Sequence, residues 1–368
     1  MNSEPLPVTI LGAGKIGLAI ALLLQRSGSY QVRVADRDAQ RLALLTGLGC
    51  EAVELDLASD AALGEALSGR FAVVNALPYH RSVAVARLAA GLGVHYFDLT
   101  EDVRSTRAIQ ALAPTADTVL MPQCGLAPGF IGIVGHDLAG RFDTLQDLHL
   151  RVGALPRFPV NALRYNLTWS TEGLINQYCN PCEALVDGHR VEVQPLEGLE
   201  RFALDGVEYE AFNTSGGLGT LTRTLQGRAR NVDYKSVRYP GHGAIMKLLL
   251  GELRLRERPE LLKQILEAAV PATDQDVIVI FATASGQRGG RLLQASYSAR
   301  ILGASIGGQL LTAIQRTTAA GVCAVLDLVR EGRLPQAGFV AQEQVPLAAF
   351  LGNRFGLVFA EASLEHLQ

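Results

Sequence analysis

Residues 233–242 hold an unusual concentration of side chains that can bind or ionise a small polar ligand. Strand alternation places Tyr234 and Arg238 on one face and Lys235 on the other. The guanidinium of Arg238 can grip a carboxylate through two parallel hydrogen bonds, and His242 can transfer a proton near neutral pH. We therefore take Arg238 as a substrate-binding candidate, and His242, Tyr234 and Lys235 as catalytic candidates. A solvated arginine and a histidine that caps the next helix are the structural alternative.

Two further stretches carry more polar groups than their local structure requires. In residues 169–178, Ser170 or Thr171 can cap a helix, and Glu172 in its first turn can hold a substrate ammonium group. In residues 214–221, three glycines lie among hydroxyl side chains and let a backbone approach a ligand closely. Helix capping and a flexible surface hairpin are the alternatives. The candidate substrate contacts in these stretches are Thr171, Glu172, Thr214 and Ser215.

Near the start of the chain, a short apolar strand runs into a glycine-rich turn and then into a helix. Strand and turn span residues 8–17, with glycines at positions 12, 14 and 17. In a dinucleotide-binding unit the first glycine permits the tight turn, the second lets a pyrophosphate approach, and the third lets the helix pack closely. The helix N-terminus then faces the phosphates. The cofactor-binding candidates here are Gly12, Gly14, Lys15, Ile16 and Gly17.

The next predicted strand, residues 31–35, ends at an acidic residue. Asp36 follows Gly17 by nineteen residues (36 − 17), a spacing at which an acid accepts hydrogen bonds from the cofactor ribose. Because its charge would repel the 2′-phosphate of NADP, we predict NAD rather than NADP, although the adjacent Arg37 softens the preference. An ordinary glycine turn with a solvated aspartate is the alternative.

The ends of the later strands supply the remaining cofactor-binding candidates, because ligands of open α/β sheets bind at the carboxyl ends of the strands. Residues 122–130 contain two prolines and two glycines, which define a loop on that side of the sheet. We expect this loop to cover the nicotinamide, with a domain hinge as the alternative, and we assign its thiol no chemical role. These candidates are Asp56, Leu57, Asn75, Ala76, Leu77, Pro78, Tyr79, Thr100, Cys124, Gly125, Ala127 and Pro128.

Strands and helices alternate up to about residue 125, which predicts an α/β fold with a Rossmann doubly wound parallel sheet. Beyond residue 145, apolar residues alternate with polar ones, as in 148–152 and 163–169, which indicates strands with one wet face. We therefore predict an NAD-binding domain over residues 1–125 and a second α+β domain with a mixed or antiparallel sheet over residues 126–304. Helices in residues 305–368 are expected to pack back onto the first domain.

The composition excludes several classes of protein. The 368 residues carry a formal net charge of −3 and no basic block, so nucleic-acid binding is not expected. No apolar run reaches the roughly 18 residues of a membrane span and no signal peptide is evident, so we expect a cytoplasmic protein. Of the five cysteines, Cys179 and Cys182 form a C-x-x-C pair without the further ligands that zinc needs, so no metal is predicted. Two half-buried thiols are favoured over a redox pair.

Several of these stretches together resemble the saccharopine dehydrogenase-like oxidoreductases, and within them the lysine 6-dehydrogenases. The resemblance implies a Rossmann domain, a second α+β domain that carries the substrate site, and homo-oligomers, either a dimer or a dimer of dimers. It also implies hydride transfer between a nicotinamide and a carbon that bears an amine. The resemblance lies in residues 10–17, 75–79, 125–129, 169–176, 214–217 and 234–242, of which 125–129 and 234–242 are the most specific.

On this basis we predict an NAD-dependent oxidoreductase that acts on a C–N bond of a small amino-acid substrate. The preferred reaction is oxidative deamination of the ε-amino group of L-lysine to the semialdehyde, with Arg238 holding the α-carboxylate. A saccharopine or carboxynorspermidine dehydrogenase, which joins an amine to a carbonyl compound, would need a second arginine, and Arg164 or Arg223 could supply it. A non-catalytic NAD-binding sensor would need no polar site in the second domain.

Overall fold

The computed structural model describes residues 4–56, 59–360 and 363–367. The chain divides into two compact units. The first contains Met1–Ile133 and Gln315–Ala360, and the second contains Val134–Ile314 and Glu361–Gln368. The units therefore divide at residues 133 and 314, compared with the 125 and 304 predicted from the sequence.

The first unit is built on parallel strands and the helices that connect them. Its strands are β1 (Leu6–Leu11), β2 (Tyr30–Asp36), β3 (Glu51–Glu54), β4 (Ala72–Asn75), β5 (His95–Asp98), β6 (Val119–Met121) and β17 (Gly338–Phe339). Its helices are α1 (Lys15–Arg26), α2 (Ala39–Ala43), α3 (Asp60–Leu67), α4 (Ser82–Gly91), α5 (Val103–Gln110), α12 (Leu347–Leu351) and α13 (Leu357–Ala360). Two helices span the points where the units divide, α6 (Phe130–Ala139) and α11 (Ala313–Arg330).

These strands form one seven-stranded sheet in the order β17-β6-β5-β4-β1-β2-β3, and every pair is parallel. All four residues of β4 are buried, as are the last four of β1. Continuous burial of this kind is typical of parallel strands that are covered on both faces. The predicted doubly wound parallel sheet is confirmed.

A buried carboxylate joins the C-terminal segment of the first unit to the start of β2. The side chain of Asp327 in α11 is 0% exposed and accepts hydrogen bonds from the Tyr30 hydroxyl (2.6 Å), Asn353 Nδ2 (2.9 Å) and Arg354 Nη2 (2.7 Å). Arg330 Nε donates a further hydrogen bond to the same carboxylate at 2.9 Å. Because Tyr30 and Asp327 are 297 residues apart, this cluster closes the discontinuous unit.

The second unit combines a large sheet with short helices. Its strands are β7 (Thr144–Pro156), β8 (Cys182–Val186), β9 (His189–Val193), β10 (Glu200–Leu204), β11 (Val207–Asn213), β12 (Ala229–Arg238), β13 (Asp276–Arg288), β14 (Arg291–Leu302), β15 (Ala304–Ile306), β16 (Gln309–Leu311) and β18 (Ser363–Leu367). Its helices are α7 (Thr171–Cys179), α8 (Leu221–Thr224), α9 (His242–Lys247) and α10 (Pro259–Ala269). The main path of the sheet runs β10-β11-β12-β7-β13-β14-β18. Strands β7 and β12 are parallel and the other neighbours on this path are antiparallel, so the predicted mixed sheet is confirmed.

Two stretches differ from the predicted elements. Residues 163–169 are not a strand, since only Leu167 forms an isolated bridge there. The Asn161 side chain bonds both the N–H and the C=O of Tyr165, and Arg164 has a left-handed φ of 49°, so local hydrogen bonds replace a strand ladder. Residues 304–311 form the hairpin of β15 and β16, at the start of the region 305–368 in which helices were predicted.

Candidate functional site

The glycine turn after β1 has the geometry that a dinucleotide requires. Gly12 adopts a φ of +103°, and a Cβ on Gly17 would lie 1.9 Å from the Gly12 carbonyl oxygen. A Cβ on Gly14 would meet none of the described residues within 4 Å, so the space beside it is open among them. Helix α1 has no side-chain cap and no acid in its first turn. The free N–H groups and positive dipole end at Lys15 and Ile16 therefore suit a pyrophosphate.

The carboxylate of Asp36 is fixed next to this turn. Its Oδ2 accepts a hydrogen bond from the Ala13 N–H (2.6 Å), and its Oδ1 accepts one from the Asp38 N–H (3.0 Å). Asp36 is 8% exposed, whereas Arg37 beside it is exposed. The acid thus occupies the carboxyl end of β2, where the ribose of a dinucleotide binds in this type of sheet.

The other predicted cofactor contacts follow the carboxyl ends of parallel strands in the first unit. Asn75 at the end of β4 is buried, and its Oδ1 accepts from the Leu77 N–H at 3.2 Å. Leu57 lies outside the described residues. The remaining candidates are exposed (Asp56, Pro78, Tyr79), partly exposed (Ala76, Leu77, Ala127) or buried (Thr100, Cys124, Gly125, Pro128).

A buried carboxylate that was not predicted organises the loop after β6. Asp98 Oδ1 accepts from the N–H groups of Thr100 (3.0 Å) and Gln123 (2.9 Å), and Oδ2 accepts from the Tyr96 hydroxyl (2.6 Å). Burial raises the pKa of the Cys124 thiol well above its usual value. The thiol therefore stays protonated in this setting.

In the second unit, Arg238 at the end of β12 is a buried guanidinium without a carboxylate partner in the described part of the chain. It is 3% exposed, its Nε donates to the Tyr178 hydroxyl (2.9 Å) and its Nη1 to the Val237 carbonyl (2.7 Å). The Tyr165 and Tyr178 rings lie 5.2 and 5.8 Å from its Cζ. Among the described residues, Nη2 has no acceptor. A buried charge is costly unless an anion pairs with it, so this arrangement suits a ligand carboxylate.

His242 begins α9 beside Arg238 and has a partner at each ring nitrogen. Nδ1 lies 3.0 Å from the Leu163 carbonyl oxygen, which can only accept, so Nδ1 carries the proton. Nε2 then accepts from the Tyr178 hydroxyl, 3.0 Å away. Burial, and after it the charge of Arg238, lowers the pKa of His242 to about 3. The imidazole is therefore neutral at physiological pH.

Hydroxyl groups continue along the same face of β12. Thr214 Oγ1 lies 2.8 Å from Ser236 Oγ, and Ser215 Oγ donates to a backbone carbonyl at 2.9 Å. Tyr234 packs against Gly217, where an added Cβ would come within 2.3 Å of the tyrosine ring. At least this glycine therefore makes room for a protein side chain rather than for a ligand.

Glu172 and Lys235 are not brought to Arg238. Glu172 lies on the solvent side of α7, with 47% of its side chain exposed, and pairs with Lys263 at 2.5 Å. Lys235 points to the opposite face of the sheet and pairs with Glu200 at 2.8 Å, beside the buried Arg151. Both charges are already matched by a protein partner, so we leave the predicted ammonium ligand and the predicted catalytic lysine out of the site.

Two tyrosines that were not predicted complete the cluster. Tyr178 lies on the buried face of α7 together with Thr171, and this helical spacing is the signal that could have identified it. The Tyr165 hydroxyl, Asn166 Oδ1 and Thr168 Oγ1 are buried with no hydrogen-bond partner among the described residues. Buried polar atoms are seldom left unpaired, so these groups remain for a ligand.

Comparison with known families accounts for nearly the whole chain. Residues 8–121 match the saccharopine dehydrogenase NADP binding domain, and residues 125–353 match the saccharopine dehydrogenase C-terminal domain. The chain belongs to the saccharopine dehydrogenase family. The resemblance inferred from the sequence motifs is thereby confirmed, and the glycine turn lies in the family's nicotinamide-dinucleotide-binding domain.

Two similar proteins carry the family name. The NADP(+), L-glutamate-forming saccharopine dehydrogenase of Schizosaccharomyces pombe is 23% identical over 207 residues, which cover 52% of this chain and 45% of that protein. The chain thus spans about half the length of this curated relative. The structure of apo histidine-tagged saccharopine dehydrogenase (L-Glu forming) from Saccharomyces cerevisiae matches with a TM-score of 0.79 and 17% identity, over 99% of this chain and 100% of that chain. The structural match shows a shared fold.

The structure offers this member of the saccharopine dehydrogenase family no metal centre in its described residues. No group of three or more His, Cys, Asp or Glu side chains there could hold a metal ion. All five cysteines are free, and of the C-x-x-C pair Cys179 is partly exposed and Cys182 buried. Within the same ranges, no helix is long and apolar enough to cross a membrane.

Proposed function

We propose that this member of the saccharopine dehydrogenase family is an NAD-dependent oxidoreductase that acts on a C–N bond of an amino acid. The observation that carries the proposal is Arg238, a buried guanidinium with no carboxylate partner in the described chain. The carboxylate of an amino acid would supply the missing anion, and a two-pronged contact would orient it. The unpaired polar atoms of residues 165–168 offer further hydrogen bonds to a polar ligand.

A nicotinamide dinucleotide bound at the glycine turn would accept or supply the hydride. The turn from Gly12 to Gly17 would hold its pyrophosphate, and Asp36 would bind its adenosine ribose. We propose NAD rather than NADP because a carboxylate fixed by two backbone N–H groups would repel a 2′-phosphate. The exposed Arg37 and the NADP in the name of the matching domain support the opposite preference.

The preferred reaction is oxidative deamination of the ε-amino group of L-lysine, which yields the semialdehyde and ammonia. In this reaction Arg238 would hold the single α-carboxylate. The described residues of the second unit include two buried arginines, Arg151 and Arg238. Arg151 on β7 lies beside Lys235 on the opposite face of the sheet, so Arg238 is the one buried arginine on its own face. One guanidinium suits a substrate with one carboxylate.

A saccharopine-type reaction, which joins an amine to a carbonyl compound, is the second candidate. The names of the similar proteins, which form L-glutamate from saccharopine, favour it. Such a substrate carries additional carboxylates and would need a further cationic contact. The two arginines considered for that role, Arg164 and Arg223, are both exposed.

Cofactor reduction distinguishes these possibilities. Purified protein is mixed with NAD or NADP and with L-lysine, other amino acids or saccharopine, and the absorbance of the reduced cofactor is followed. Reduction of NAD with L-lysine alone would support the preferred reaction, whereas a signal that requires saccharopine, or an amine plus an oxo acid in reverse, would support the second. Cofactor binding without turnover of any substrate would indicate a sensor. Assembly as a homodimer and a cytoplasmic location stay predictions from the sequence.

A further inference from the structure

The hydrogen bonds that link Arg238 to His242 run in one direction. Arg238 Nε donates to the Tyr178 oxygen at 2.9 Å, and this hydroxyl lies 3.0 Å from His242 Nε2. The Leu163 carbonyl can only accept a hydrogen bond, so the Nδ1–H of His242 donates to it at 3.0 Å. The other ring nitrogen, Nε2, therefore accepts the hydrogen bond from the Tyr178 hydroxyl. We call Arg238, Tyr178, His242 and the Leu163 carbonyl the arginine–histidine chain.

The arginine–histidine chain is buried and held by aromatic packing. Tyr178 and His242 are both 0% exposed. The Tyr165 and Phe212 rings lie 5.3 and 6.2 Å from the imidazole, centroid to centroid. The titratable groups that face the imidazole are Arg238 from β12, Tyr178 from α7 and Tyr165 from the irregular segment before α7. Glu210 from β11 accepts hydrogen bonds from the backbone on either side of His242. Among the described residues, no carboxylate pairs with the imidazole ring itself.

We propose that His242 is a positioning residue, which holds Tyr178 and through it fixes the plane of the Arg238 guanidinium that receives the substrate carboxylate. The inference rests on the carboxylate-binding role proposed for Arg238. Within the arginine–histidine chain, both ring nitrogens of His242 already bond to protein groups, so the imidazole has no free lone pair to accept a proton from the substrate. This replaces the proton-transfer role that the sequence suggested for His242.

The arginine–histidine chain also determines which edge of the guanidinium meets the ligand. Nε is occupied by Tyr178, and Nη1 already donates once to the Val237 carbonyl. The edge formed by Nη1 and Nη2 is left for a two-pronged contact with a carboxylate. Without its histidine acceptor, the Tyr178 hydroxyl could rotate and the guanidinium would lose a fixed plane. Loss of His242 should therefore weaken carboxylate binding far more than it slows turnover.

The decisive substitution is His242→Gln, because its amide oxygen can reach the position of Nε2 and accept from Tyr178 without titrating. His242→Ala and Tyr178→Phe instead interrupt the arginine–histidine chain, because each removes one of its hydrogen-bonding side chains. We expect these two variants to raise KM for the amino-acid substrate about tenfold, which corresponds to the loss of one charge-assisted hydrogen bond between the guanidinium and the carboxylate. The value of kcat should stay within about threefold. His242→Gln should restore KM to within about threefold of the wild type and keep the pH profile of kcat.

A carboxylate-free analogue provides the control. For 1,5-diaminopentane, used as a substrate or as a competitive inhibitor, all three variants should match the wild type within about twofold. A fall in kcat of more than about a hundredfold in His242→Gln, or the loss of one limb of its pH profile, would show that the imidazole transfers a proton. Either result overturns the inference.

A measurement on the wild-type protein requires no substrate. Nitrogen-15 NMR of the His242 ring, assigned with His242→Gln, should show an Nδ1–H tautomer whose shifts stay constant from about pH 5 to about pH 8. Titration within that range overturns the positioning role and leaves the role of Arg238 intact. If the wild type instead binds no amino acid at all, the proposed function fails, and the carboxylate-positioning role fails with it.

Discussion

The two buried arginines among the described residues of the second unit differ in which groups neutralise their charge. Arg151 is 4% exposed and pairs with Glu200 and Asp233, whereas Arg238 is 3% exposed and has no carboxylate partner among the described residues. A buried guanidinium that is matched by two acids contributes to the fold. A buried guanidinium without an acid is costly to maintain in the absence of a ligand, which is why Arg238 is the stronger binding candidate.

Arg238→Lys tests this residue directly. Lysine keeps the charge but loses the planar donor and the bond to Tyr178. We expect KM for the amino-acid substrate to rise roughly ten- to hundredfold, about 1.5–3 kcal/mol, with a smaller change in kcat. Steady-state kinetics measure the effect, and Arg230→Lys on the same strand, whose side chain is 68% exposed, serves as the control. An unchanged KM in Arg238→Lys would remove Arg238 from the site.

Asp36→Ala tests the cofactor preference. Loss of the carboxylate removes both the ribose acceptor and the repulsion of a 2′-phosphate, so we expect kcat/KM for NAD to fall about tenfold relative to that for NADP. The ratio is measured with both cofactors at a fixed substrate concentration. Asp38→Ala removes a nearby acid that caps α2 and should leave the ratio unchanged. If Asp36→Ala also leaves it unchanged, Asp36 does not contact the ribose.

At the scale of elements, the turn between β12 and α9 depends on a carboxylate from the neighbouring strand. Glu210 on β11 is 2% exposed and accepts hydrogen bonds from the N–H groups of Gly241 (2.8 Å) and Gly243 (2.6 Å). Gly241 has a φ of +101°, a conformation that favours glycine. The turn that places His242 beside Arg238 is therefore stabilised by a side chain from another strand, and not only by its own residues.

Glu210→Ala should be markedly destabilising, because it leaves the buried N–H of Gly243 and the partly buried N–H of Gly241 unpaired. We expect a loss of roughly 2–4 kcal/mol in the free energy of unfolding, and about half of that for Glu210→Gln, which keeps one acceptor oxygen. Urea unfolding measures both. The exposed Glu208 on the same strand provides the control, for which an alanine should change stability by less than about 0.5 kcal/mol. Equal effects at 208 and 210 would contradict this account.

Two alanine substitutions in the glycine turn should have different consequences. Gly17→Ala puts a Cβ 1.9 Å from the Gly12 carbonyl oxygen and should cost roughly 2–4 kcal/mol in stability. Gly14→Ala meets no atom of the described residues within 4 Å, so the fold should tolerate it, but the methyl group would obstruct a pyrophosphate and raise the Kd for NADH about tenfold. Denaturant unfolding and NADH fluorescence titration measure these effects. Normal NADH binding by Gly14→Ala would show that no pyrophosphate approaches this residue.

At the scale of the whole molecule, each unit is assembled from residues that are distant in sequence. In the first unit, Asp327 joins Tyr30 to the segment around Arg354. In the second unit, the parallel pair of β7 and β12 joins two strands with six intervening elements between them in the chain. These long-range pairings, rather than local propensity, close the two units.

The Asp327 cluster predicts a dependence of stability on pH. Burial alone would raise the pKa of Asp327, but hydrogen bonds from Arg354, Tyr30 and Asn353 outweigh burial and lower it. A lowered pKa in the folded state stabilises the protein above the unfolded value of about 3.9, and this contribution is lost as the pH falls through the folded pKa. We expect Asp327→Asn to cost about 3–5 kcal/mol at neutral pH.

The measurement is urea unfolding from neutral pH down to about pH 3. The wild type should lose stability more steeply on acidification than Asp327→Asn does, because only the wild type carries the carboxylate. Glu51→Gln removes a half-exposed acid that pairs with Arg33 and should cost no more than about 1 kcal/mol. Parallel pH profiles for wild type and Asp327→Asn would contradict the account.

The sequence singled out several candidate residues that the structure brings together, but not the contacts that they make. Glycine spacing located the turn at residues 12–17, and the position of Asp36 after β2 followed from the same local pattern. Glu172 was misjudged because the first turn of a helix does not reveal which side faces solvent. Residues 163–169 alternate like a strand, yet Asn161 binds their backbone locally, a competition that periodicity does not report.

The sequence by itself determined the βαβ unit, the change from a parallel to a mixed sheet and the family, because glycine spacing and apolar periodicity are properties of neighbouring residues. Only the tertiary structure decided which polar groups meet. Tyr178 and Arg238 are 60 residues apart and become partners because α7 and β12 pack together. The direction of their hydrogen bonds follows from a carbonyl at Leu163 that can only accept, and this acceptor reaches the His242 ring only in the folded chain.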